Sequence, residues 1–294
     1  MKKKIFSLSC ALTTSFIWGT AFVAQDMGMD YIGPLTFTSA RLFLGFLTLL
    51  PLLLFFEFKK VKQSKCNLKD ITLILFISFL MSYGNSLQQY ALLYTDVANT
   101  AVFTILYVVF VPFVSFLFYS KNIHWSVWPC VVTCLLGGLL LTELDNVVVR
   151  LGDSIAFCNA LLWAFHIVFI SKLLLKFNFP ITIAASQCFI GSIFTFFPAL
   201  IFEDVILSNI FLEYKEILYV GILSSGFAFL LQIFGQQNLG PSSVAIIFSL
   251  EGAIAAIAGW IILDQILNEI KIVGIVLIIF AVIFSQIVPI YKNK

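Results

Sequence analysis

The chain has 294 residues, of which 61% are hydrophobic and 11% charged, with a net charge of +2 and a mean hydropathy of +1.05. A soluble domain carries about 25% charged residues, so this chain has too little charge to cover a water-facing surface, and its 33 phenylalanines exceed the needs of one globular core. The composition excludes a soluble globular domain and indicates a polytopic membrane protein, with no nucleic-acid partner and no cofactor expected.

Apolar runs long enough to cross a hydrocarbon core, roughly 17–25 residues each, follow one another from end to end. The first, at about 5–24, opens on Lys2, Lys3 and Lys4 in the manner of a signal peptide. Its length, the lack of a small-x-small cleavage site and the similar segments behind it make it the first span instead. Spans at about 34–56, 71–93, 98–119 and 125–141 complete a first set. A second set falls at about 152–175, 180–202, 216–238, 242–263 and 271–289. Backbone groups in lipid must be satisfied internally, so runs of this length are helices.

The connecting segments divide by charge. One set holds Lys2, Lys3, Lys4, Lys59, Lys60, Lys62, Lys65, Lys69, Lys121, Lys172, Lys176, Lys292 and Lys294. The other holds Arg150, Lys215 and Lys271 among acids such as Asp26, Asp30, Glu143, Asp145, Glu203 and Asp204. Thirteen cations against three place both termini in the cytoplasm, at the plasma or inner membrane of the cell. That arrangement needs an even number of spans and agrees with ten.

The second half repeats the first at a shift of about 145 residues. Trp18 meets Trp163, Pro34 meets Pro180, Phe43 meets Phe189, Gly45 meets Gly191 and Gln88 meets Gln232. "NTAVFTIL" falls on "SVAIIFSL", so Glu251 occupies the place of Tyr107. Two units are expected, residues 1–145 and 146–294, each with five helices. Five is odd, so the units enter the membrane from opposite sides. The expected fold is all-α: ten transmembrane helices as two inverted-topology five-helix repeats, an architecture many secondary transporters use for alternating access around a mid-depth site.

Helical spacing sorts the polar residues onto faces. Thr14, Trp18, Ala21 and Gln25 share one in the first span, as do Asn159, Trp163 and His166 in the sixth. Asn85 and Gln88 share a face in the third, and Ser225, Gln232 and Gln236 in the eighth. Thr100, Thr104 and Tyr107 form a stripe in the fourth, matched by Val244, Phe248 and Glu251 in the ninth. Spans five and ten are nearly featureless. Polar faces are expensive in lipid, so these converge on a cavity or hydrogen-bond between helices. The candidate substrate-binding residues are Trp18, Asn85, Gln88, Tyr107, Trp163, His166, Gln232 and Glu251.

Glu251 sits among Gly252, Ala255, Ala256 and Gly259, on a helix with no polar face. It can carry a proton, balance a cation on a substrate, or serve as a neutral hydrogen-bonding lock. His166 is the second proton-coupling candidate, against the plainer reading of a packed histidine. Arg41, the one arginine inside a span, has three readings: snorkelling outward, pairing with an outer-loop acid, or attracting an anionic substrate. Cys130 and Cys134 lie one helical turn apart but read as inert, and no metal-type spacing occurs among the six cysteines.

Several further segments carry a family resemblance: "FIWGTAFV" with "PLTFTSARLFLG" after it, "LQQYALLYTDVANTAVFTIL" across spans three and four, and "LGPSSVAIIFSLEGAIAAIAG" in the second half. In order and spacing they resemble the EamA-type members of the drug/metabolite transporter superfamily, over essentially the whole chain and once per half. The resemblance implies a ten-helix carrier for amino acids, vitamins, nucleosides or drugs, with a substrate cavity between the repeats at Trp18, Tyr107, Trp163 and Glu251. Where that family often has proline after the ninth-span glutamate, this chain has Gly252, which would loosen the helix there.

The expected function is a secondary active carrier of small metabolites, amino acids or related polar compounds first, driven by proton coupling or exchange. No GxxxxGK[ST] run is present to bind ATP phosphates. Efflux of hydrophobic cations is the alternative within transport, since aromatic faces and an acid suit such solutes. An intramembrane enzyme is the alternative from another class: Asp26, Asp96, Asp153, Glu251 and His166 supply acids and a base, but no HExxH-type metal pattern occurs, and Asp26, Asp96 and Asp153 fall at span ends where carboxylates are ordinarily solvated. The expected partners are a small-molecule substrate and the lipid bilayer, with the chain a monomer or homodimer.

Overall fold

The computed structural model describes residues 2–64, 67–119, 124–142 and 150–292. Lys65, Cys66, Lys121, Glu143, Asp145, Lys294 and the expected unit boundary after residue 145 lie outside the described residues. Among the described residues there is no strand. The apolar helices are α1 (Lys2–Met27), α2 (Pro34–Gln63), α3 (Leu68–Leu92), α4 (Val97–Phe118), α5 (Val127–Leu141), α6 (Leu151–Leu174), α7 (Pro180–Phe202), α8 (Tyr214–Gln236), α9 (Pro241–Ile262) and α10 (Glu269–Lys292). Among the described residues nine of these are long and apolar enough to cross a membrane, and α5, with 15 residues, is shorter. A short helix, Leu207–Leu212, precedes α8.

Local sequence sets the helix starts. Pro34, Pro180 and Pro241 occupy the first turn of α2, α7 and α9, where a missing N–H costs nothing and a fixed φ favours the helix. Asn67 and Asp70 form a capping box at the start of α3. Burial is then distributed as lipid demands. Phe55, Leu117 and Phe202 are exposed, whereas Arg41, Asn85, Gln89, Asn159, His166 and Gln232 are buried. This reverses the soluble pattern and makes the chain a multi-pass membrane protein. The span ends are less solvated than the sequence suggests: Asp153 is buried and accepts from the Thr95 hydroxyl at 2.8 Å. The exposed carboxylate there is Asp96, which pairs with Arg150 at 2.6 Å.

Packing follows the repeat. α1 lies against α9 and α8, while its counterpart α6 lies against α4 and α3. α2 packs on α8, and its counterpart α7 packs on α3. Counterparts also meet one another: α2 with α7, α4 with α9, and α5 with α10. The two featureless helices are therefore joined to each other. Their backbones cross at Gly137 and Gly274, so closely that a Cβ on Gly137 would lie 2.7 Å from the Gly274 carbonyl oxygen.

The α2–α7 pair is fastened at both ends in the same way. Glu203, just past α7, accepts from the Leu35 and Thr36 N–H groups at 2.8 Å each and from the Thr36 hydroxyl at 2.7 Å. Glu57, near the end of α2, accepts from the Thr182 N–H at 2.8 Å, the Thr182 hydroxyl at 2.7 Å and the Ile181 N–H at 3.2 Å. Each helix thus supplies a carboxylate to the orphan donors at the start of the other, where the helix dipole also favours negative charge. The Glu57 lock lies on the lysine-rich face and the Glu203 lock on the opposite one.

Candidate functional site

Both fourth helices break at the same level. α4 consists of Val97–Thr104 and a second piece that starts at Tyr107, interrupted at Ile105 and Leu106. α9 consists of Pro241–Phe248 and Leu250–Ile262, interrupted at Ser249. The break in α9 falls just before Glu251 and Gly252, and the Ser249 hydroxyl there contacts the Cys134 thiol at 3.3 Å. Irregular backbone at membrane depth is tolerated where it is buried in protein or lines a cavity.

The two breaks bring the repeat-equivalent residues Tyr107 and Glu251 together, with the Tyr107 hydroxyl donating to Glu251 Oε1 at 2.8 Å. Glycine shapes the approach on the far side: a Cβ at Gly19 would lie 2.8 Å from the Glu251 carbonyl oxygen, so α1 and α9 cross closely here. The Ser15 hydroxyl reinforces that crossing by donating to the Ile247 carbonyl at 3.0 Å.

Tyr107 and Glu251 line an enclosed cavity between the repeats. Trp18 and Trp163, also repeat equivalents, form its aromatic wall with centroids 5.7 Å apart, and Phe229 packs on both. Phe22 and Ile167 complete the apolar side. Gln25, Arg41, Asn85 and Gln88 form a polar side, joined by Thr104 and Ser224. No lining residue is more than 9% exposed, and a water-sized sphere finds about 20 Å³ of space inside. That is room for about one water, so this conformer is occluded and a metabolite needs the walls to part.

Of the sequence candidates, Trp18, Asn85, Gln88, Tyr107, Trp163 and Glu251 line this cavity together. His166 and Gln232 are not part of its lining. His166 packs edge-on against Trp163 at 5.0 Å and shares a 2.6 Å hydrogen bond with Gln187. Gln232 is fully buried, and among the described residues neither of its amide atoms has a hydrogen-bond partner. Arg41 neither snorkels nor pairs with an outer acid. It is 1% exposed, donates from Nη1 to Gln25 Oε1 at 2.9 Å and from Nη2 to Asn85 Oδ1, and faces the cavity.

Two features escaped sequence reasoning. The Glu57 and Glu203 locks involve acids near span ends, though their register with Thr182 and Thr36 under the repeat was a usable signal. The other is a π-helical stretch, Val220–Ala228, in α8. It presents the Ser224 carbonyl to the Trp18 indole N–H at 3.4 Å and the Ser225 carbonyl to the Cys188 thiol at 3.2 Å. Such widened turns recur at functional sites.

A lipid-spanning bundle of two related halves, broken at matched helices around an enclosed cavity, is the build of a membrane transporter. The EamA-like transporter family matches residues 5–143 and 150–286, and the chain belongs to that family, within the drug/metabolite transporter superfamily. It is similar to the uncharacterized transporter YoaV of Bacillus subtilis (strain 168), 28% identical over 275 residues, covering 91% of this chain and 92% of that protein. An uncharacterized transporter of Archaeoglobus fulgidus is 28% identical over 294 residues, covering 98% of this chain and 87% of that one. A solved crystal structure superposes with a TM-score of 0.78 at 13% identity, over 96% of this chain and 98% of the other. At that identity the likeness concerns the fold alone.

Proposed function

We propose that the protein is a secondary carrier of small polar metabolites, amino acids first, working by alternating access with proton coupling or exchange. The observation that carries this reading is the occluded cavity at the level where α4 and α9 both break, walled by the repeat-equivalent pairs Trp18–Trp163 and Tyr107–Glu251. Related halves that rock about such a site expose it to each side in turn. In this reading Trp18, Asn85, Gln88, Tyr107, Trp163 and Glu251 contact the substrate. Glu251 is the proton-coupling group, and His166 supports the wall from behind Trp163. Both termini lie in the cytoplasm, on the strength of the lysine distribution. The chain acts as a carrier and not as an enzyme.

The test is counterflow of labelled amino acids into proteoliposomes, comparing wild type with Glu251→Gln. Uptake by wild type that the variant loses supports the reading. Absence of solute movement by wild type across amino acids, vitamins and nucleosides sinks it. Efflux of hydrophobic cations draws on one specific observation, the cluster of Trp18, Trp163 and Phe229 beside a carboxyl group, which suits a cation over aromatic faces. Arg41 in the same cavity weighs against it.

A further inference from the structure

The fold is symmetric, but the cavity is not. Under the repeat, the residue matching Arg41 is Gln187, the one matching Asn85 is Phe229, and the one matching Gln25 is Ile170. Gln187 is turned to His166 and is absent from the cavity wall, as is Ile170, while Phe229 lines the wall as an apolar surface. The first repeat therefore supplies a cationic, amide-lined side and the second supplies a largely apolar one.

Arg41 is the centre of the polar side and is electrically unanswered there. Among the described residues no carboxylate lies within ion-pairing distance of it, and its guanidinium is held by two neutral amide oxygens. Its Nε has no hydrogen-bond partner among the described residues although it is buried. Taking a guanidinium out of water is costly unless it is paired, and its planar fork matches a carboxylate better than any other common anion save phosphate. Glu251, the acid in the same cavity, is engaged instead by Tyr107.

We propose that Arg41 is the anchor for the carboxylate of an α-amino acid, with the ammonium group turned to Glu251 and the side chain against Trp18, Trp163 and Phe229. This rests on the carrier reading above and specifies the chemistry of its site. A free amino acid answers both groups at once, whereas an amine leaves Arg41 unpaired and a simple acid brings no ammonium to Glu251. Gln25 and Asn85 hold the guanidinium in place in the unloaded site and position it for the substrate.

The experiment measures binding to the purified full chain by tryptophan fluorescence, since Trp18 and Trp163 form the wall. The probes are alanine, threonine and leucine, each beside its α-carboxamide and its decarboxylated amine, with wild type, Arg41→Gln and Arg41→Lys. Counterflow of the same compounds runs in parallel. The expected result is binding of at least one free amino acid, at least about tenfold weaker for its carboxamide and for Arg41→Gln, with partial recovery in Arg41→Lys. If Arg41→Gln does not fold, the acid-against-carboxamide comparison on wild type decides alone. Equal binding of acid and carboxamide, or binding only of amines, overturns the Arg41 anchor while counterflow of those compounds keeps the carrier. No binding of any free amino acid also overturns the anchor. If counterflow fails too, across these compounds and the vitamins and nucleosides of the wider panel, the carrier reading falls with it.

Discussion

Tyr107 and Glu251 hold the same position in the two halves of the chain, and they are hydrogen-bonded to each other at 2.8 Å. Repeat-equivalent residues touch only near the axis that relates the repeats, so this bond lies at the pseudo-two-fold axis of the bundle. Removing the hydroxyl with Tyr107→Phe leaves a buried carboxyl short of a donor, a loss of about 1–3 kcal/mol. The expected outcome is a lower melting temperature for Tyr107→Phe in detergent. Glu251→Gln, which still offers an acceptor oxygen to Tyr107, should melt close to wild type while losing transport. Equal melting of all three proteins would show that the bond does not hold the halves.

Glu251 and His166 are separable as proton-coupling groups. Glu251 lines the cavity, whereas His166 stands behind Trp163 and is bonded to Gln187. In proteoliposomes with an imposed pH gradient, wild type should accumulate its substrate. Glu251→Gln should exchange slowly or not at all, with accumulation reduced roughly tenfold or more. His166→Asn keeps a partner for Gln187 and should retain gradient-driven accumulation within about a factor of two, since it removes no cavity contact. If His166→Asn abolishes the gradient response and Glu251→Gln does not, their roles are reversed.

Much of this arrangement was legible in the sequence because lipid leaves few alternatives. Long apolar runs must be helices, and prolines such as Pro34, Pro180 and Pro241 mark where they start. The polar faces also pointed inward as spacing implied, bringing Trp18, Tyr107, Trp163 and Glu251 together. Spacing along a helix says nothing of its rotation against its neighbours, so Gln232 and its face-mates Ser225 and Gln236 all lie outside the lining, which α8 reaches through Ser224 and Phe229 instead. The break at Ile105–Leu106 was equally hidden, because that segment reads as uninterrupted apolar helix; for the break at Ser249 the one hint is Gly252, three residues further on. Arg41 illustrates a different limit. Its three readings differ only in what lies around it, and Gln25 and Asn85 come from two other helices.

The α5–α10 crossing gives a sharp pair of substitutions. A Cβ on Gly137 would lie 2.7 Å from the Gly274 carbonyl oxygen, closer than side-chain carbons approach backbone. At the neighbouring Gly138 the nearest atoms would be Val102 Cγ1 at 3.5 Å and Ile105 Cδ1 at 3.6 Å, ordinary contact. Gly137→Ala should therefore force the helices apart at a cost of about 1–3 kcal/mol, and Gly138→Ala should be neutral or slightly stabilising. Thermal unfolding in detergent distinguishes them. Equal melting temperatures would mean the crossing relaxes without loss.

The two carboxylate locks on α2 and α7 lie at opposite ends of the bundle, and under the proposed alternating access each would have to release before its own face could open. Glu57 fastens the start of α7 on the lysine-rich face, and Glu203 fastens the start of α2 on the other. Both are closed here, in keeping with the occluded cavity. A helix N-cap contributes about 1 kcal/mol, so deleting one lock should shift the populations roughly fivefold. The reporter is a cysteine placed at Thr104 in a cysteine-free background, labelled by a membrane-impermeant thiol reagent from each side of sealed vesicles. Glu57→Ala should speed labelling from the lysine-rich face and Glu203→Ala from the opposite face. The double variant should lose stability without favouring either side. Faster labelling from the same face in both single variants would rule out side-specific locks and reduce these carboxylates to helix caps.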